Sequence, residues 1–184
     1  VMTDMLKNGS ISGRLVNVGE TFNADTMNVY YYEGEANQEK IDYVNSSRLT
    51  SDYVYENGEL KYVYQFKDST TNPNGIYDPG ELLKSKIIYE RYNSKDRISQ
   101  IIGYYSDGST RDTSIYDYGV SIAVGGDENS GNQDEVRQYN GEYIVGGNNL
   151  LKAKSLYDTQ LGEGKEKRRS VFTYRSDGTS VKLA

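Results

Sequence analysis

The stretch that decides the fold reads "SDYVYENGELKYVYQF" and runs from Ser51 to Phe66. Tyr53 and Tyr55 alternate with other residues before the pair Asn57-Gly58, and the residues after the pair alternate in the same way. A period of two is the pattern of a half-buried β-strand, and Asn-Gly supplies the positive φ angles that a two-residue hairpin turn needs. The stretch therefore predicts a β-hairpin.

The same kind of turn recurs along the chain as tyrosine, one to three polar residues, glycine, and then Glu, Ser or Thr. Successive turn glycines lie 22 to 37 residues apart, which leaves room for two strands and their turns. The six glycines are Gly34, Gly58, Gly80, Gly108, Gly141 and Gly178. The pattern predicts an all-β protein in which consecutive hairpins build one antiparallel meander, open or partly rolled, with little helix.

The length of 184 residues favours a single domain. Nineteen tyrosines and only two prolines suit strands with aromatic faces. We assign residues 1–27 to an N-terminal strand or linker segment and residues 28–184 to a tyrosine-rich hairpin-repeat domain. Within the first segment, "DMLKNG" is interpreted as one frayed helical turn or the end of a linker, and regular sheet is predicted to start near Ile11.

The composition removes several kinds of chemistry. The chain has no cysteine, histidine or tryptophan, so cysteine nucleophiles, histidine bases and thiolate or histidine metal ligands are excluded. A net charge of −6 argues against nucleic acid as a partner. The sequence contains no run of 18 apolar residues, so it predicts no transmembrane helix. The start "VMTDMLKNGS" is unlike a signal peptide, although removal of a leader, with or without a lipid anchor, is compatible with it.

Two segments repeat one another over a longer span. "YVNSSRLTSDYVYENG" (Tyr43 to Gly58) and "YNSKDRISQIIGYYSDG" (Tyr92 to Gly108) share a tyrosine, Asn-Ser, an arginine before Leu or Ile, a strand and a glycine turn. Arg48 and Arg97 occupy equal places. We expect these arginines to lie along a tyrosine ring, to pair with a turn carboxylate, or to stay as solvated edge charges.

The stretch from Tyr89 to Gly119 resembles the tyrosine-aspartate (YD, Rhs-type) repeat of bacterial surface proteins. The shared features are a tyrosine-rich strand, an Arg-Ile entry, a second strand, an Asp-Gly turn and a returning Tyr-Asp. The chain departs from the family pattern at Asp96, where glycine is common. The resemblance implies an extracellular or envelope-facing β-sheet protein from a bacterium, and it implies no catalytic residues.

One connection carries the residue types of a calcium loop. "DSTTNPNGIYDPGELL", from Asp68 to Leu83, aligns with the twelve-position calcium loop, and Gly75 falls at the sharp bend. Thr70 stands at the first position, where aspartate is expected, so the predicted site is weak. The alternative is a plain connector without metal, because Asp-Pro-Gly and Asn-Pro-Asn-Gly are turn sequences. The candidate ligands are Asp68, Asn72, Asn74, the Ile76 carbonyl, Asp78 and Glu81.

The sequence is compatible with three functions. The leading hypothesis is a non-enzymatic surface module that binds a protein or a glycan through exposed tyrosines. The second is a carboxylate-dependent glycan hydrolase, which requires two facing carboxylates. The third is a structural piece of a larger repeat protein. Edge strands of an open sheet also invite self-association.

Overall fold

The computed structural model describes residues 6–7, 10–11, 28–34, 38–46, 49–67, 75–92, 95–118, 133–158, 166–179 and 181. These residues form strands and turns, and none of them lies in a helix. The strands are β1 (Leu6–Lys7), β2 (Ser10–Ile11), β3 (Val29–Glu33), β4 (Lys40–Asn45), β5 (Thr50–Glu56), β6 (Glu59–Lys67), β7 (Leu82–Tyr92), β8 (Lys95–Tyr104), β9 (Thr110–Asp117), β10 (Glu135–Asn140), β11 (Leu150–Asp158) and β12 (Lys167–Thr173). Accordingly, no described segment is a helix able to span a bilayer.

Strands β3 to β12 form one ten-stranded antiparallel sheet in sequence order, with β3 and β12 at its edges. Strand contacts run between sequence neighbours, with one small additional contact between β6 and β8. The described strands therefore make an open single layer, which confirms the predicted all-β meander of hairpins and selects its open form.

The turn glycines behave as the sequence predicts. All six glycines of the recurring turn have positive φ, the conformation that glycine adopts without steric cost. In the hairpin between β5 and β6, Asn57 has φ 50° and Gly58 has φ 82°, as a type I′ turn requires. In two other turns the aspartate carboxylate accepts a backbone N–H two residues on, from Ser109 to Asp107 and from Thr179 to Asp177.

The N-terminal segment differs from its prediction. Leu6–Lys7 pairs antiparallel with Ser10–Ile11, so a short β-ribbon replaces the expected helical turn or linker end. The sequence between the two strands, Asn-Gly, is one that favours hairpin turns. The ten-stranded sheet begins at Val29, and residues 12–27 lie outside the described part.

Strand register separates the two faces of the sheet. One continuous row of directly paired residues crosses β3 to β11 on the face that we call the loop face. The row is Tyr31, Tyr43, Asp52, Tyr64, Lys86, Ile102, Thr113, Tyr139 and Leu151. Phe66 and Thr113 are fully buried on this face, whereas Val63 is buried on the opposite one. The small core of the described sheet is therefore mainly on the loop face.

Candidate functional site

The end of the connection from β6 to β7 folds back onto the loop face. Gly75 lies directly on the Tyr43 ring, and Tyr77 stacks on Tyr64 with ring centroids 5.0 Å apart and planes inclined by 17°. The Tyr77 backbone N–H donates to a carboxylate oxygen of the buried Asp52 at 3.1 Å, and its ring meets Phe66 edge-on at 5.5 Å. The loop is thus anchored on the sheet by the hydrogen bond from Tyr77 to Asp52 and by aromatic contacts.

A second connection, from β10 to β11, covers the other half of the loop face. The Thr113 hydroxyl donates to the Gly141 carbonyl at 2.8 Å, and the Tyr143 ring lies 4.8 Å from the Tyr139 ring. The Asn149 side chain accepts from and donates to the backbone of Ile144 at the turn. Both connections contact the central row through aromatic and hydrogen-bonding groups, and Asp52, Thr113 and Tyr139 of that row are buried.

A lysine lies in the same central row, among the aromatic rings. The Lys86 ammonium is 4.3 Å from the centroid of the Tyr62 ring and 5.3 Å from that of Tyr64. A cation over a phenol ring is attracted by the negative face of the π-system. The charge of Lys86 is thereby accommodated beside the partly buried core.

The predicted calcium ligands are only partly within the described residues. Asp68, Asn72 and Asn74 lie outside them. Asp78 and Glu81 form a tight turn, in which the Asp78 N–H donates to a Glu81 carboxylate oxygen at 2.9 Å and the Glu81 N–H donates to the Asp78 carbonyl at 3.1 Å. The side chain of Ile76 is half exposed above this turn. Among the residues described, no cluster of three or more acids is arranged for a metal, and the calcium site stays a prediction.

Calcium is expected to raise the melting temperature if the loop binds it. At a calcium concentration ten times the dissociation constant, mass action adds about 1.4 kcal/mol to the free energy of unfolding. For a chain of this length that corresponds to about 3–6 °C. Asp78→Ala should abolish the shift, whereas Asp107→Ala should retain it, since Asp107 serves another turn. A wild-type melting temperature that is equal in millimolar calcium and in chelator contradicts the site.

The opposite face carries at least seven tyrosines, and we call it the tyrosine face. Register assigns six of these side chains to it, and the seventh, Tyr118, is coupled electrostatically to two of them. The seven are Tyr30, Tyr53, Tyr55, Tyr89, Tyr116, Tyr118 and Tyr157. They extend from the edge strand β3 to β11 and therefore span almost the whole sheet.

These phenols are mostly half-buried and influence one another. Burial raises the pKa of Tyr53, Tyr89 and Tyr116 above the ordinary value, and the neighbouring phenols Tyr30, Tyr53 and Tyr157, respectively, raise it further. Aliphatic side chains fill the space between the rings at the centre of the sheet, where Val63, Ile87 and Ile101 lie side by side. The tyrosine face thus combines aromatic rings with an aliphatic centre.

The predicted arginine–tyrosine contact is present at one of its two positions. The Arg97 guanidinium lies 5.5 Å from the centroid of the Tyr118 ring, which confirms the cation–π interpretation for this arginine. Burial raises the pKa of Tyr118, and the charge of Arg97 opposes that increase. Arg48 lies outside the described residues.

Acidic side chains at one end of the sheet form an ion-pair network. Burial raises the pKa of Asp134, and the charges of Asp117 and Glu135 raise it further. Arg137 lies 3.5 Å from the Asp117 carboxylate and 3.1 Å from that of Glu135, and Lys154 also pairs with Glu135. Because cations neutralise both neighbours, this group has the arrangement of a structural network rather than of an acid–base pair.

The raised phenol pKa values predict a loss of stability at alkaline pH. The folded state favours the neutral phenols, so their contribution is complete below the unfolded pKa of about 10 and is lost as the pH rises through the folded values. Unfolding by alkali should therefore coincide with the appearance of tyrosinate absorbance, and Tyr89→Phe should lower the amplitude of that absorbance change. Titration of every tyrosine at the ordinary pKa, in a chain that is still folded, would contradict the assigned burial.

Sequence reasoning missed residues of the loop face. Asp52 and Lys86 were not singled out, because each is one polar residue in a strand sequence of mixed polarity. Comparison with known proteins assigns no family, since no protein-family model matches the chain and no curated protein matches it.

Proposed function

We propose that the chain is a non-enzymatic module of a bacterial cell surface, extracellular or envelope-facing, that binds a protein partner through the tyrosine face. The observation that carries the proposal is the row of seven phenols on one side of a single-layer sheet. The placement at a cell surface depends on the resemblance to YD-type repeats.

The residues between the phenols support protein binding. Tyrosine gives a large contact area at low conformational cost, and small polar residues give adaptable hydrogen bonds, as in antibody paratopes. Charged side chains are depleted at the centres of protein interfaces. Charged groups reach this face at Lys40 beside Tyr55, at Arg97 beside Tyr118 and at Asp112 opposite Gly103. Elsewhere the register places small or uncharged residues between the tyrosines, namely Val44, Ser51, Val63, Gln65, Ser85, Ile87, Ile101, Ser114, Val136, Gln138, Ala153 and Ser155.

The size of the tyrosine face also suits a protein. The row crosses from β3 to β11, which is about 38 Å at the usual strand spacing of about 4.8 Å. With a usable width of about 20 Å along the strands, the area is roughly 800 Å², the share of one partner in a standard protein interface. A single sugar chain would cover only part of this surface.

The test uses a double variant of the tyrosine face and a matched control. Tyr89→Ser/Tyr116→Ser removes two central phenols, whereas Tyr105→Ser removes a tyrosine that is 53% exposed on a turn. A protein captured from envelope extract is purified and titrated against each variant. We expect at least tenfold weaker binding for the double variant and unchanged binding for the control.

Other outcomes separate the competing functions. Equal binding by all three proteins would place the contact elsewhere on the chain. Binding on a glycan array that depends on Tyr89 and Tyr116, without a protein partner, would replace protein by carbohydrate. Silence in both assays would favour a purely structural piece of a larger repeat protein.

A further inference from the structure

The two edge strands of the sheet expose apolar side chains. Tyr30 on β3 is 46% exposed, and on β12 Val171 is 48% and Phe172 is 37% exposed. Within the strands of the described sheet, the remaining large exposed apolar side chain is Leu150, the first residue of β11. Apolar exposure inside the strands is therefore concentrated at the edges, where backbone groups can accept another strand.

The edges carry opposite charges. Strand β12 starts with Lys167, Arg168 and Arg169, all of them exposed, whereas β3 ends with the exposed Glu33. Strands β3 and β12 run in opposite directions, because ten antiparallel strands alternate in direction from one edge to the other. When two copies lie side by side in the same orientation, β12 of one copy meets β3 of the next in an antiparallel arrangement.

The faces on which the side chains lie and the charges of the two strands favour one register between β12 of one copy and β3 of the next. Tyr30 and Val171 both belong to the tyrosine face, since Tyr30 pairs with Val44 and Val171 pairs with Ser155. Placing Tyr30 of one copy opposite Val171 of the next brings Glu33 opposite the basic start of β12. The same register thus satisfies the apolar and the ionic complementarity.

We propose that a second copy of this chain pairs head to tail with the first, through β12 of one copy and β3 of the next. The contact is heterologous, so it leaves one free β3 and one free β12 and propagates into an open assembly. The twist of about 20–25° per strand turns each copy relative to the last and does not bring the ends together. The bridge between Tyr174 and Val181 lies beyond the end of β12. Each added copy also extends the tyrosine face.

Sedimentation velocity of the 184-residue chain tests the proposal through charge reversal. The head variant is Glu33→Arg and the tail variant is Arg168→Glu/Arg169→Glu. The wild type should form species larger than a dimer as its concentration rises, and salt should weaken them. Each variant alone opposes like charges across the contact and should associate roughly tenfold more weakly. An equal mixture of the two variants restores opposite charges at the contacts between them and should assemble again.

Val145→Lys serves as the control, because Val145 is 87% exposed on a turn away from both edges. It should assemble like the wild type, whereas Val171→Lys should not. Circular dichroism and melting establish that every variant is folded before it is sedimented. A wild type that stays monomeric at all concentrations, a closed dimer, or a mixture that fails to reassemble would each overturn the proposal. None of these outcomes depends on a partner of the tyrosine face.

Discussion

Phe66→Ala is expected to lower the free energy of unfolding by about 3–5 kcal/mol. Phe66 is fully buried, it lies opposite Thr50 on β5, and the edge of its ring meets Tyr77. In a single-layer sheet few other side chains can close the cavity, so the relaxation that normally limits such a loss is small. For a chain of this length the melting temperature should fall by about 6–20 °C.

Urea unfolding followed by circular dichroism measures the change, with Phe172→Ala as the matched control. Phe172 is the same residue type on the edge strand β12, where it is 37% exposed, and its loss should cost about 1 kcal/mol. Equal losses for the two variants would show that the loop face holds no core of its own. An unchanged midpoint for Phe66→Ala would contradict the packing of Tyr77 onto this face.

The fold could be predicted because its determinants are local. A tight hairpin needs a positive-φ residue in its turn and two alternating strands, and both signals lie within about fifteen residues of each other. The Asn57-Gly58 turn and four more of the turn glycines therefore mark five of the nine connections of the ten-stranded sheet without information on distant contacts, whereas Gly178 follows β12. The short ribbon at Leu6–Lys7 was missed because two-residue strands give no period that can be recognised.

The composition of each face could not be predicted, because β-bulges decide it, as the hairpin of β5 and β6 shows. Without a bulge, the turn at Asn57-Gly58 would place Tyr53 opposite Tyr62, on the same face. In the structure Lys61 is an extra residue in β6, so Val54 pairs with Tyr62 and Tyr53 pairs with Val63. Such a one-residue shift moves every following side chain to the other face. The tyrosines of the central hairpin are consequently divided between the loop face and the tyrosine face.

Local sequence patterns also could not predict that two connections pack on the loop face. The contact from Tyr77 to Asp52 joins residues 25 positions apart, and that from Thr113 to Gly141 joins residues 28 apart. The turn-like sequence around Asp78 predicts the reversal of the chain but not the face on which the loop lies. That choice depends on the aromatic surface of Tyr43 and Tyr64, which only the assembled strands create.

Gly75→Ala is expected to cost about 2–5 kcal/mol and to release the loop from the loop face. Gly75 has φ 79°, a conformation that costs an alanine about 1–2 kcal/mol. A Cβ atom at this position would come within 2.5 Å of three atoms of the Tyr43 ring. Tyr43 stacks on Tyr31 with centroids 4.0 Å apart, so the ring cannot move without breaking that contact, and overpacking adds about 1–3 kcal/mol.

Gly146→Ala separates the two contributions. Gly146 has φ 75°, almost the same as Gly75, but no heavy atom lies within 4 Å of the position that an alanine Cβ would occupy there. The control therefore carries the conformational cost alone, and the difference between the two variants in urea unfolding measures the contact with Tyr43. A difference of at least about 1 kcal/mol is expected. If the two alanines cost the same, Gly75 does not lie on the ring, and the anchoring of this loop on the sheet would have to be abandoned.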